Sequence, residues 1–522
     1  MQHNRNDALQ GRRRSSASHA LPTAEPPQIS SEQAEKVERQ AIRRLFDVLH
    51  ERDIAYCHWK SNIRLAATLA GEEDIDLLVD RHCAGAFQSA LADCDFKLTN
   101  SRAGSGHPGV FHALALDEST GQLFDVHAYH QIISGDSLVK AYRLPLEHVL
   151  LASARRLHGV KVPAADAELL AFALRVMLKH VHPVEIYMVN RDYASVAAEI
   201  EWLLQSADVD RAAELCAQVL PEISKELFQS AVRSVHCRSA LWSRIATGFR
   251  LSRRLNRRRR IGVLHAELSR LRRTALLLRG RLRKEKTLSL QTGGMVVAFV
   301  GPKATGKSTL ITELSRRLGR HLQVRSVHVG KPPPTLLTFF PRLLTPLARR
   351  LFSGERSGEY QKPERRKTDR FSLLYVLRMA MLAYDRRALL RKTSRVASNT
   401  IVLCDRYPSE TIGAIDSSCF SDAAIARCTS PLNRWLMQKE RALSRNLPKP
   451  QLVVRLSAPI AMTIERDASR IKQGGPDAIA IESRWDLETQ AEFPGVETLR
   501  IDTSRPLDET IRATAKAVWA SL

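Results

Sequence analysis

The sequence predicts an α/β protein: a C-terminal unit with a parallel sheet and helices on both faces, preceded by a smaller α+β unit with a helical extension. Three observations carry this. "MVVAFVGPKATGKSTLITELSRRLG" (295–319) is an apolar run, a glycine-bounded loop and an amphipathic run in succession. After it, short β-branched runs alternate with helical ones to the C-terminus, the pattern of parallel strands joined by crossover helices. Before it, "DIDLLVD" (74–80) alternates acid with apolar residue, as a half-buried strand does.

Taken in order, residues 1–32 read as a basic tail without the apolar stretch of a secretory signal. "EQAEKVERQAIRRLFDVLHERD" has helical spacing, and "IAYCHWKS", "DIDLLVD" and "GQLFDVHAYH" read as strands, with "NIRLAATLAG" helical between the first two. This front unit is assigned to 33–145. Residues 146–240 read as mostly helical. A basic helical linker follows at 241–290, and the C-terminal unit spans 291–522. Within the latter, "MVVAFVG", "VRSVHVG", "TIVLCD", "QLVVRLS" and "ETLRID" are strands. "FSLLYVLRMAMLAYDRRALLRKTSRVA" is a long helix, and 331–370 reads as a Pro-rich, basic-apolar loop.

The 522 residues are too many for one core. No run approaches the ~18 apolar residues of a membrane span. The eight cysteines show no metal-binding spacing, which fits free thiols in a reducing cytoplasm. The net charge is +25, and half of it lies between Arg250 and Lys286, where 15 Arg/Lys face only Glu267 and Glu285. Such a segment seeks polyanions. It has no aromatic residue on which bases could stack, so its mixture of Leu251, Leu255, Leu264, Leu268, Leu271 and Leu282 with arginines points to an anionic membrane surface or a helix partner ahead of nucleic acid.

Gly301-Pro302-Lys303-Ala304-Thr305-Gly306-Lys307-Ser308, followed by Thr309, fits G-x-x-x-x-G-K-[ST] between a strand and a helix. Main-chain N–H groups of such a loop point at an anion. Lys307 is expected to reach the β- and γ-phosphates of ATP, and Ser308 to ligate Mg²⁺. A second carboxylate for the metal is Asp405, at the C-terminal end of the "TIVLCD" strand, where sites form in open parallel sheets. Beside it, Arg406 is suited to hold another phosphate.

Loop, helix and "DRY" (405–407) together resemble the thymidylate kinase branch of the nucleoside monophosphate kinases, from about Met295 to the C-terminus. "LAYDRRALL" (382–390) is similar to the helix before "DRY" in that family, and 448–470 to its later strand and arginine-bearing lid. The resemblance implies an ATP- and magnesium-dependent phosphotransferase with a small phosphate-bearing acceptor. It gives Lys307, Asp405 and Arg406 catalytic roles and makes Arg466 and Arg470 the lid arginines. Three departures set this chain apart. Lys303 stands where those kinases usually carry an acid, Leu382 stands where an aromatic stacks on thymine, and "PSETIGAIDSSCF" replaces the stretch after "DRY". Thymidine monophosphate as acceptor does not follow.

"HWKSNIRLAATLAGEEDIDLLVD" (58–80) resembles the nucleotidyltransferase superfamily, with Lys60 in place of a glycine before Ser61. Asp74 and Asp76 share a strand face, and Asp125 of "LFDVH" is positioned to complete a metal trio. Such a trio serves a two-metal attack on a nucleotide α-phosphorus. A solvated strand edge and a fold that binds without catalysing explain the same acids. His127, His130, His180 and His182 read as structural. Against the kinase reading stands a nucleotide-binding adaptor docked to a membrane surface, its catalytic units degenerate.

Overall fold

The computed structural model describes residues 40–102, 104–237, 240–351, 371–414, 416–468, 485 and 488–522. The basic tail and Arg470 lie outside them.

The front unit opens with the helix Gln40–Glu51, which turns Ile42, Leu45, Phe46 and Leu49 inward at helical spacing. Strands β1 (Tyr56–His58), β2 (Ile75–Val79), β3 (Lys97–Ser101), β4 (Val110–Asp117) and β5 (Gln122–Tyr129) follow. Two small hairpins come next, β6 (Ile132–Ser134) with β7 (Tyr142–Leu144), and β8 (Arg155–Leu157) with β9 (Val160–Val162). The second hairpin interrupts a stretch expected to be helical. Its Arg155–Val162 and Leu157–Val160 pairs close a tight turn at His158-Gly159, both residues in the left-handed region. The helices expected after it are present, including Ala165–Lys179, Val209–Val219 and Lys225–His236.

The front sheet has the order β1-β2-β5-β4-β3-β10, and its last strand, β10 (Leu288–Leu290), is the end of the 241–290 linker, expected to be helical but extended here by pairing with β3. That segment forms the helices Leu241–Arg254 and Val263–Leu282. It is strapped to the front unit rather than spanning free: Arg270 pairs with Asp136 at 3.0 Å, and Arg273 donates to the carbonyls of Leu138 and Gly106. Several arginines therefore point inward while Leu264, Leu268, Leu271 and Leu282 point to solvent.

The C-terminal unit is a parallel five-stranded sheet in the order β12-β13-β11-β14-β15, built from β11 (Val296–Val300), β12 (Val324–His328), β13 (Ile401–Asp405), β14 (Leu452–Ser457) and β15 (Glu497–Asp502). Helices Lys307–Leu318, Leu373–Val396 and Leu507–Ala520 cover it. Part of the expected 331–370 loop is a helix, Leu336–Leu351, despite Pro341. Its first turn is fixed from outside the segment. The buried Asp385 carboxylate accepts from Thr335 N and Oγ1, from Thr338 Oγ1, and from Arg342 at 2.8 Å. Those bonds anchor the helix start to the long helix Leu373–Val396.

One core joins the two units. Leu114, Leu116 and Leu123 on one face of the front sheet pack with Leu310, Leu314 and Leu318 of the helix after the phosphate loop, and with Trp519. The opposite face, with Ala113, Ala115, Phe124 and Val126, packs on Gln40–Glu51 and on Ala84–Asp93. Alternation along β4 and β5 thus divides their side chains between two cores.

Candidate functional site

The loop after β11 is shaped by two glycines. Gly301 has φ 132°, and a Cβ there would meet the Leu456 carbonyl oxygen of β14 at 2.3 Å. Gly306 has φ 88° and caps the helix Lys307–Leu318, so the loop ends on a helix N-terminus that favours anions. Lys307 Nζ lies across the loop, donating to the carbonyls of Gly301 at 2.7 Å and Pro302 at 2.6 Å.

Registry places the second element. β11 and β13 pair in parallel with Phe299 opposite Asp405, which brings the end of β13 beside the loop. Ser308 Oγ donates to Asp405 Oδ2 at 3.1 Å, while Asp405 Oδ1 is buried and makes no hydrogen bond. A hydroxyl beside a carboxylate with an unused oxygen fits a hard, oxygen-seeking cation. Arg406 follows in the left-handed region, φ 72°, a strained conformation for a non-glycine residue. Its guanidinium lies 3.8 Å from Asp416.

Arg386 shares that carboxylate at 3.0 Å. The motif reading did not number it among the site residues, although the Asp-Arg pair in "LAYDRRALL" signalled it. Arg406, Lys303 and Lys307 line one cleft, and its Tyr407, Ser409 and Phe493 also line a cavity of about 510 Å³. A separate cavity of about 320 Å³ lies along Ala304, Thr305, Gly306 and Thr309, walled by Arg466 and Thr503. Arg466 donates to the Thr503 carbonyl at 2.9 Å, so it stands at this second cavity and not in the Arg406 cleft. Lys303 Nζ is 2.8 Å from Asp467 Oδ2, a pairing that nothing in the spacing indicated.

In the front unit the acids are arranged differently from expectation. Asp74, Asp76 and Asp125 each approach His127, at 3.4, 3.5 and 3.2 Å. His127, expected to be merely structural, is the hub. Against the effect of burial, its bonds to Asp125 and Asp76 raise its imidazole to about 10. Asp76 is also held by Lys60 at 2.7 Å. Although burial opposes it, Lys60 and His127 keep that carboxyl well below the ordinary range. His and acid side chains with ligand atoms within 4.8 Å of one another form the sets His112, Asp125, His127 and Asp74, Asp125, His321, with Asp76 in neither.

Of the expected trio, Asp74 and Asp125 come together with His321 as donors that could hold a metal ion, while Asp76 is bonded to Lys60 and approached by His127 instead. Lys60 at 2.7 Å and His127 at 3.5 Å face Asp76, and β5 turns Asp125 toward the face that the loop helix covers, leaving it 5% exposed, whereas the Asp74 side chain stays 49% exposed. His321, just past that helix, adds a ring nitrogen within 4.8 Å of the Asp74 and Asp125 oxygens.

Sheet, loop and following helix make the C-terminal unit an α/β fold of the P-loop class. No protein-family model matches the chain. It is 28% identical over 232 residues to the uncharacterized ATP-binding protein YghR of Escherichia coli (strain K12), covering 43% of this chain and 86% of that protein. It is 24% identical over 235 residues to the uncharacterized ATP-binding protein YghS of the same strain, covering 44% and 93%. Among solved structures, deoxyadenosine kinase from M. mycoides with bound dATP matches 43% of this chain and 99% of its own, at 15% identity and a TM-score of 0.25.

No helix among the described residues is long and apolar enough to cross a membrane.

Proposed function

We propose that the chain is an ATP-dependent phosphotransferase of the nucleoside monophosphate kinase type, with a small phosphate-bearing acceptor. The observation that carries the reading is the 3.1 Å contact between Ser308 and Asp405, with its unused carboxylate oxygen. The names of the bacterial relatives, ATP-binding proteins, support it.

On this reading the loop amides enclose the triphosphate, and Lys307 exchanges the carbonyls of Gly301 and Pro302 for phosphate oxygens. Ser308 and Asp405 would hold Mg²⁺, which supplies neutralisation of the charge on the transferring group. The cavity beside Ala304–Thr309 receives the nucleoside, with Arg466 at its wall. Arg406 and Arg386 exchange Asp416 for the acceptor's phosphate, so that donor and acceptor meet at the loop. Fixed positive charge and orientation provide most of what phosphoryl transfer needs. Lys303 is already occupied by Asp467 and offers no acid to a sugar hydroxyl, which is why the acceptor is given only as a class.

The test is ADP formation from Mg²⁺-ATP across a panel of nucleoside and sugar phosphates, with mass spectrometry for a gain of one phosphoryl group. Stimulation by one acceptor supports the reading, and a flat panel refutes it.

The rival, a nucleotide-binding adaptor on an anionic membrane, is favoured by one observation: the outward leucines of Val263–Leu282 stand among exposed Arg272, Arg279, Arg281 and Arg283. An apolar stripe bordered by arginines suits an acidic bilayer interface. Both properties can coexist in one chain, as a kinase held at a cytoplasmic membrane surface.

A further inference from the structure

A second cavity of about 430 Å³ lies in the front unit, away from the phosphate loop. Trp59, Lys60, Tyr129, Lys140, Arg175 and Lys179 line it. The cations come from three places in the chain: the end of β1, the loop before β7, and one face of the helix Ala165–Lys179, where Arg175 and Lys179 are four residues apart. Tertiary folding alone brings them together.

Only two carboxylates pair with this group. Asp76 takes Lys60 at 2.7 Å, and Glu199 takes Arg175 at 3.3 Å. Lys140 and Lys179 make no ion pair among the described residues. Glu185 and Glu199 attract Lys179 without forming an ion pair with it, and Glu185 accepts from Ser137 N at 2.8 Å and Oγ at 3.1 Å. Burial, then Lys60, pushes Lys140 down to about 8, and burial, then Arg175, lowers Lys179. Like charges gathered in a half-buried hollow are costly for the fold, and an anion relieves that cost.

The walls are aromatic. Lys60 Nζ lies 4.1 Å from the Tyr129 ring and 4.8 Å from the Trp59 ring, and it donates to Tyr129 Oη at 2.6 Å. A hollow with apolar walls and a few convergent charges has the character of a small-molecule site.

We propose that this cavity binds a phosphate-bearing small molecule without a metal ion, Lys140, Lys179 and Arg175 meeting the phosphate while Lys60 stays on Asp76. No carboxylate among the described residues lines the cavity to hold a divalent cation, so the anion is met by fixed ammonium and guanidinium groups. The proposal is independent of the kinase reading, because it concerns a different cavity.

The test uses the full chain carrying Lys307→Ala, which disables the phosphate loop, in EDTA. Titration calorimetry with pyrophosphate is expected to show one saturable site. Lys140→Gln with Lys179→Gln should weaken it at least about tenfold, as loss of two charge-assisted contacts implies. The surface pair Arg281→Gln with Arg283→Gln, an equal charge loss, should leave it unchanged and controls for general attraction. AMP and glucose 6-phosphate separate the two sources of an organic phosphate: tighter binding of either than of orthophosphate identifies its class. No saturable heat, a Mg²⁺ requirement, or equal weakening by both double variants would overturn the proposal, and binding of neither organic probe beyond orthophosphate would overturn the organic ligand. Matching circular dichroism spectra verify that the variants are folded.

Discussion

Lys303 Nζ and Asp467 Oδ2 lie 2.8 Å apart, tying the phosphate loop to the helix Ile460–Ala468 that also carries Arg466. The loop's own charge is thereby balanced from that helix. Asp467 is 9% exposed in its side chain and Lys303 36%, so the pair is partly screened by solvent. A double-mutant cycle with Lys303→Ala and Asp467→Ala should give a coupling of about 0.5–1 kcal/mol in unfolding free energy. A coupling of zero in chemical denaturation would mean that the contact does not tether the loop.

The metal reading gives Asp405 and Lys307 different roles. Asp405→Asn should keep ATP binding in EDTA but lose most of the Mg²⁺-dependent gain, and phosphoryl transfer should fall by about 10² or more. Lys307→Ala should lose ATP binding itself. Equal Mg²⁺ stimulation of Asp405→Asn and the parent in equilibrium dialysis would remove Asp405 from the metal.

The strap is testable by stability. Arg270→Ala leaves Asp136 with a side chain only 8% exposed and without that partner, which should cost about 3 kcal/mol. Arg272→Ala, on the exposed side, should change stability by less than about 0.5 kcal/mol. Urea denaturation of both variants distinguishes a strap from a free linker.

The outward stripe predicts lipid dependence. Leu264→Asp with Leu268→Asp should abolish co-sedimentation with acidic vesicles while leaving the ATP-binding unit intact. Equal sedimentation with neutral and acidic vesicles would end the membrane reading.

Charge in the front cavity predicts a pH profile. Lys140 faces Lys60, Lys179, Arg175 and His107 across the hollow, with Asp76 behind Lys60. His107 is lowered by burial and by Lys140 to about 3 and is neutral near pH 7. The protonated lysine binds the anion, so pyrophosphate affinity should be full below about pH 8 and fall as pH rises through it. Stability of the free protein runs the opposite way. Between about 8 and the ordinary 10.5 the unfolded chain holds more protons at this lysine, so Lys140 makes the fold more stable as pH rises across that window. Lys140→Gln should flatten both curves in calorimetry and thermal melts.

What the sequence determined by itself was local and periodic. The loop 301–308, its flanking strand and helix, Asp405 at a strand end, and the alternation of strands with helices were legible because side-chain spacing and glycine placement are set within a few residues. The tertiary structure alone decided what required distant chain segments to meet. Asp385 anchored the start of a helix that its prolines argued against, and β10 returned to the front sheet after the basic helices. Lys60 and His127 drew Asp76 out of the expected metal trio, and His321 joined Asp74 and Asp125 from beyond the loop helix. Burial and the pairing of charges depend on which face each strand presents to the other unit, and that is fixed only when the two cores pack together.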